Sequence, residues 1–401
     1  MNRLKSKQQG VALIVVLLIV AIVSVLATEM GSRLQLQIKR ASNIKENNQA
    51  YWYAMGAEQY ARKSIKQLMV NDGDVIHLEQ PWNQEYSFPM EGGGIQVQLV
   101  DMQSCFNLNA LREPKVAPGE TADPKILEER MLAFERLLQN VDPAIPSYNI
   151  DMLRDSLVDW LDADNSTTGF GVEDSEYESL QFPYVAANNY MLHKSELRLI
   201  HGVEVPWLKE LLKLVCVLPN DSLFSININT VSEENAAVIA AATGISLFDA
   251  QSILANRSSG AFQTTENFLN DPSIQALEPR LTDEQKNWFD VKTSHFILHT
   301  KTKYNDATFA MQTLFKVDAS NNVSVISQQN EIIASGELPD ASQLATLSER
   351  AGRRPICALV PTSDILLKWV ELPAKAGRKA LAAIPFILEE SSLPLDDPRF
   401  K

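Results

Sequence analysis

Cysteine is scarce in this chain: Cys105, Cys216 and Cys357 are the only three in 401 residues, and no CxxC pair occurs. That excludes the usual zinc-ribbon and thioredoxin-type motifs. Positive charge is in deficit, with Lys+Arg 36 against Asp+Glu 50 and a net charge of −14. Such an acidic chain does not suit nucleic acid or anionic lipid as a general partner. GxSxG, HExxH and Walker-type glycine loops are all missing. The five histidines are scattered; His295 and His299 share a strand face without ligand-pair spacing. No nucleophile is offered with a base, so the sequence does not read as an enzyme. Apolar residues make up 45% of the chain, enough for real cores, and the length suggests two or three domains.

Charge is also absent from Val11–Thr28, an apolar run about long enough to cross a bilayer core as a helix. A basic leader precedes it, Met1–Gly10 with Arg3, Lys5 and Lys7, and Glu29 and Arg33 close it. Positive charge before the run keeps the N-terminus cytoplasmic. Ala21, Ser24 and Ala27 offer weak sites for an ordinary signal peptidase. The sharper boundary lies before the run, where Lys7-Gln8-Gln9-Gly10 meets Val11-Ala12-Leu13-Ile14-Val15. This junction resembles that of type IV prepilins and type II secretion pseudopilins. The resemblance implies cleavage by prepilin peptidase between Gly10 and Val11, with methylation of the new amine. Most members of that family carry glutamate at the fifth mature position, where this chain has Val15. The departure points to a subunit that starts or caps a filament. A simple signal anchor is the other reading of the run. With the body in the oxidising periplasm, Cys105 and Cys216 are positioned to pair; two buried free thiols are the alternative.

Proline is missing from residues 29–70, and glycine occurs there only at Gly31 and Gly56. Ala50, Tyr53, Ala54, Ala57, Tyr60, Ala61, Ile65 and Leu68 recur at helical spacing. The transmembrane half of the helix, 11–28, should therefore continue as a spine. Beyond it, residues 95–101 alternate as a strand, residues 105–109 continue extended, and residues 295–301 and 309–315 pair around Asn305-Asp306. The fold class expected is α+β: a pilin-like long N-terminal helix on a small antiparallel sheet, with a large, mostly helical inserted domain. The head comprises 29–111 and 291–325, and the insertion 112–290.

This arrangement, with Val15, resembles the minor pseudopilin K of type II secretion over roughly residues 5–325. The residues that carry it are Gln9–Ile14, Phe106-Asn107-Leu108-Asn109, Asp159-Trp160-Leu161-Asp162-Ala163-Asp164 and Ile226-Asn227-Ile228-Asn229-Thr230, in that order. The resemblance implies a single-pass bacterial inner-membrane protein with a periplasmic head. It also implies a place at the pseudopilus tip with the I- and J-type minor pseudopilins, contact with the inner-membrane secretion platform, and a part in exporting folded proteins. A membrane-anchored binding module of a DNA-uptake or adhesion pilus is the alternative.

Residues 151–178 carry nine acidic side chains against the single cation Arg154. Such a loop either faces water or holds a cation, and calcium takes hard oxygen ligands. Asp162, Asp164 and Ser166 stand two apart, and Glu173 falls at the twelfth position of an EF-hand count. Thr167 in place of the turn glycine, and Phe170 at the ninth position, depart from an EF-hand. The K family holds calcium in its inserted domain. The resemblance therefore implies a structural Ca2+ at Asp162, Asp164, Glu173 and Asp174, with Asp159 as a further candidate.

Residues 223–270 resemble tandem helix-hairpin-helix elements, a SAM-like module. Residues 232–255 contain no Lys or Arg, and Ser246 replaces the second hairpin glycine, so phosphate contacts and DNA are not expected. Residues 326–401 are foreign to the rest. Glu331–Pro339 and Leu367–Ala380 resemble the start of type II secretion protein L, which is cytoplasmic in its family. No apolar run returns the chain to that side of the membrane. A joining of neighbouring reading frames explains this; a genuine fusion is the alternative.

Overall fold

The computed structural model describes residues 11–113, 123–141, 143–257 and 260–330. Gly10, the rest of the leader and the protein L-like residues from 331 onward lie outside them.

Helix α1 runs unbroken from Val11 to Asp72, about 93 Å at 1.5 Å per residue. Its first half is exposed on every side, from Leu13 past Ile44. It is apolar enough to cross a membrane. The second half presents Ala50, Ala54, Ala57, Ala61, Ile65 and Met69 to the head, all buried. Three- and four-residue steps put these side chains on one stripe, and the alanines let the helix lie close to the sheet.

That sheet has five antiparallel strands in the order β1-β2-β7-β8-β9. They are β1 (Glu85–Met90), β2 (Gly93–Asp101), β7 (His295–Tyr304), β8 (Ala307–Val317) and β9 (Val323–Asn330). The β2–β7 register runs from Gly93↔Tyr304 to Asp101↔Phe296. Alternation along β7 turns Phe296, Leu298, Thr300 and Thr302 inward against α1. Strand β9 crosses the domain boundary expected at 325, so the head extends at least to Asn330.

The sequence between β2 and β7 forms the insertion. Its α-helices are α2 (Pro124–Gln139), α3 (Ser147–Leu161), α4 (Asp174–Glu178), α5 (Val205–Leu214), α6 (Ala237–Thr243), α7 (Leu247–Asn256), α8 (Thr265–Leu269), α9 (Pro272–Gln275) and α10 (Asp283–Lys286), among the described residues. One continuous core includes Phe106, Phe134, Trp160, Trp207, Phe224 and Trp288. Helices α6 and α7 meet at a 115° bend, where Gly244 takes φ +85°.

The extended segment expected at 105–109 is corrected in part. Phe106–Asn107 is a short strand, β3, parallel to β4 (Val215–Cys216), but Leu108–Leu111 turns into a 3-10 helix. The turn aims two buried asparagines at buried carbonyls. Asn107 donates to Asp221 and Leu223, and Asn109 donates to Met191 and Leu218. A buried polar side chain left unpaired is costly, so these bonds decide the local path.

The insertion meets the head at a polar neck. Asp101, 2% exposed, accepts from the hydroxyls of Thr230 at 2.5 Å and Thr293 at 2.6 Å. Asn227, on β5 (Ile226–Asn227), donates to the Ile76 carbonyl and to Thr293. β5 runs parallel to β6 (Phe289–Asp290). A disulfide joins Cys105 to Cys216, with Cα atoms 5.8 Å apart.

Candidate metal centre

Helix α3 carries Asp155 and Asp159 four residues apart, and Asp162 caps its C-terminal end. This spacing sets the three carboxylates along one face. Asp155 is 2% exposed and Asp159 fully buried. An ionised carboxylate there must find partners or a cation. Asp155 finds them: Arg154 Nε donates to it at 2.8 Å and the Phe170 amide at 2.9 Å. Arg154 is itself paired with Glu135 at 2.7 Å and Asp151 at 3.2 Å.

Asp159 is only half satisfied. Its Oδ1 accepts from the Thr168 amide at 2.9 Å, while its Oδ2 has no hydrogen-bond donor. Asp162 Oδ1 and both carboxylate oxygens of Glu173 are likewise buried without a donor. One oxygen from each of Asp159, Asp162 and Glu173 lies within 4.8 Å of the others. Burial, with Asp155 and Asp164 nearby, pushes Asp159 up to about 6. Burial, then the charges of Asp164 and Asp159, pushes Asp162 up to about 6. Burial, then Asp159, Asp162 and Asp174, pushes Glu173 up to about 7. Three converging carboxylates with free oxygens form a hard, anionic donor set, and calcium fits that chemistry.

The five carboxylates expected from sequence therefore divide. Asp159, Asp162 and Glu173 come together. Asp164 instead accepts the Ser166 amide at 2.7 Å. Asp174 accepts the Ala186 amide at 2.9 Å and the Asn165 side chain at 3.4 Å. Both still add negative charge to Glu173. Sequence reasoning did not single out Asp155, which secures the loop, or Gly169 and Gly171 within it. The repeat of Gly around Phe170 was the available signal. Asn188 was also missed; its Oδ1 is buried without a donor, and its amide bonds the Asp164 carbonyl and Asn165.

Below the centre, Trp160 packs edge-on against Tyr177 with ring centroids 5.5 Å apart, and Tyr177 stacks on Tyr184 at 5.1 Å. The Tyr184 hydroxyl bonds the Leu199 carbonyl at 2.6 Å. The irregular segment after Glu173 is thus tied to the loop that the carboxylates shape.

A helix that runs past a membrane-spanning length to back an antiparallel sheet is a pilin-like architecture, here with a large helical insertion. Family models described as type II secretion system protein K match residues 104–220 and 226–292. Protein K of Aeromonas hydrophila is 33% identical over 332 residues, covering 81% of this chain and 97% of that protein. Protein K of Klebsiella pneumoniae is 29% identical over 313 residues, covering 77% and 93%. Among solved structures, the crystal structure of the GspK-GspI-GspJ complex from enterotoxigenic Escherichia coli contains a similar chain. It has a TM-score of 0.63 and 29% identity, and the match covers 73% of this chain and 99% of that one. The chain belongs to the type II secretion system protein K family and is a minor pseudopilin.

A model of protein L of the same system matches residues 317–396. Protein L of Vibrio cholerae is 33% identical over 64 residues, 16% of each chain. The relatives of the body of the chain are structural secretion components rather than enzymes. His295 is buried, and burial, then Lys316, pushes its pKa down to about 4.

Proposed function

We propose that this minor pseudopilin caps the periplasmic pseudopilus together with I- and J-type partners, and so serves export of folded proteins across the outer membrane. The observation that carries this reading is where the insertion leaves the head. β2 ends at Asp101 and β7 begins at His295, at one end of the sheet. At the other end, Thr302 bonds the Ala50 carbonyl, where α1 arrives from its exposed half. The insertion therefore sits on the end of the head farthest from the membrane-crossing half of α1. Bulk there obstructs a further subunit stacking above. Val15, in place of the glutamate usual in pilins, agrees with a subunit that has nothing ahead of it. The co-crystallised partners of the E. coli relative, GspI and GspJ, suggest the partner class.

The chain is processed by prepilin peptidase between Gly10 and Val11 and methylated at Val11. It sits in the inner membrane with its N-terminus cytoplasmic, against the secretion platform. Calcium at Asp159, Asp162 and Glu173, with Asp164 and Asp174 adding charge, is structural: it lets repelling carboxylates fold into one loop. The 223–270 region is a helix-hairpin-helix or SAM-like module used for packing or protein contact. Residues 232–255 carry no Lys or Arg, and the nearest cation, Arg257, donates through one Nη to the Ile228 carbonyl at 2.7 Å, which speaks against DNA. The protein L-like tail reflects joined reading frames. A transcript sequenced across the junction tests that, and two separate frames would remove the fusion reading.

The test of the function is co-purification of the full chain with I- and J-type pseudopilins, with calcium or with chelator. A complex in calcium that weakens in chelator is expected. No complex in calcium would overturn the tip assignment.

A further inference from the structure

We propose that Asp155, Gly169 and Gly171 preform the metal loop, with Asp155 a positioning residue that does not itself touch the ion. The inference rests on the calcium reading above and extends it to residues outside the ligand set.

The loop that leaves α3 at Asp162 is clipped back onto the helix at alternate residues. The Thr168 amide donates to Asp159 Oδ1 and the Phe170 amide to Asp155 Oδ2, each at 2.9 Å. The residues after each clip are glycines because carboxylates occupy the space a side chain would need. A Cβ at Gly169 would lie 2.3 Å from Asp155 Oδ2, and φ there is +52°. A Cβ at Gly171 would lie 2.1 Å from Asp159 Oδ2, the buried oxygen that has no hydrogen-bond donor. The Gly171 amide closes the turn on the Thr168 carbonyl at 2.7 Å. Glu173 follows two residues later, so the clips determine where its carboxylate arrives.

Amide bonds to an ionised carboxylate are among the stronger hydrogen bonds, and both of these are made between protein groups alone. Asp155 is anchored in turn through Arg154 to Glu135 on α2. Both Asp155 oxygens are therefore committed, one to Arg154 and one to the loop. A ligand set held in place beforehand loses less ordering entropy on binding.

The test uses the full-length chain in detergent. Terbium luminescence sensitised through Trp160, next to Asp159 in sequence and 3% exposed, is competed with calcium. D155A is expected to weaken calcium about 10–100-fold and G171A at least about tenfold, while D155N, which keeps one acceptor but turns its NH2 toward the other N–H donor, should lie between D155A and the unaltered chain. At saturating terbium the decay lifetime of D155A should match the unaltered chain, because the ligands are intact, whereas D159N and E173Q should shift it.

Unaltered calcium affinity in both D155A and G171A would overturn the inference and leave the metal reading standing. A full-length chain that binds no calcium, or a signal untouched by D159N and E173Q, would overturn the metal reading and the inference with it. If D155A does not fold, G171A decides, and unaltered affinity in that variant overturns the inference.

Discussion

Asp159, at the end of α3, and Glu173, at the start of α4, bring carboxylate oxygens within 4.8 Å of each other. Neither Asp159 Oδ2 nor either Glu173 oxygen has a hydrogen-bond donor. Two buried like charges in this position oppose folding until a proton or a cation joins them.

Removing metal should therefore make stability depend on pH with a definite sign. Asp159 and Asp162 are raised to about 6 and Glu173 to about 7. A raised carboxylate favours the folded state while protonated, so its contribution is complete below the unfolded pKa, near 4. It is lost as pH rises through 6 to 7. Thermal melting in chelator should fall between pH 5 and 8, and excess calcium should cancel the fall. Calcium affinity should rise over the same interval, because protons compete for the same oxygens. Identical melting at pH 5 and 8 in chelator would contradict this.

The disulfide closes a long segment, since Cys105 and Cys216 are 111 residues apart. That segment contains α2, α3 and the whole carboxylate cluster. The double variant C105S/C216S should lose about 2–5 kcal/mol in urea unfolding. Reduction should change migration on a non-reducing gel. Equal stability of variant and parent would show that the neck does not need the covalent link.

Asp101 holds the polar neck between head and insertion. D101A leaves the buried Thr293 hydroxyl and the Gln103 amide without their acceptor and leaves Thr230 only the Asn227 carbonyl. A cost of about 2–4 kcal/mol is expected on the scale of buried unpaired polar groups. Limited proteolysis of D101A should release the insertion from the head faster than in the parent. Unaltered cleavage would show that Asp101 does not hold the neck.

Processing should leave a mature chain that begins with N-methylated Val11, measurable by intact mass. G10V should retain the leader. An unmethylated chain cut beyond Thr28 would instead identify an ordinary secretory signal.

Much of this architecture was legible from periodicity. The helix spine follows from Ala50, Ala54, Ala57 and Ala61, and the strands β7 and β8 follow from alternation around Asn305-Asp306. Strand β1 escaped although Tyr86, Phe88 and Met90 alternate along it, because Pro89 within the run argues against a strand and all six residues are exposed. Strand β9 escaped because its residues read as the foreign tail. The acidic loop was plain as a composition, yet which carboxylates converge was not. That depends on the amides of Thr168 and Phe170 finding Asp159 and Asp155, a tertiary fact with no periodic signature. Asp164 and Asp174 stand at ligand spacing and accept the amides of Ser166 and Ala186, an arrangement the spacing does not reveal.

The tip assignment is tested most directly by electron cryomicroscopy of assembled pseudopili, using the insertion between Asp101 and His295 as the marker. The account predicts its density once per filament, at the end away from the membrane. Repeated copies of the insertion along the shaft would contradict it.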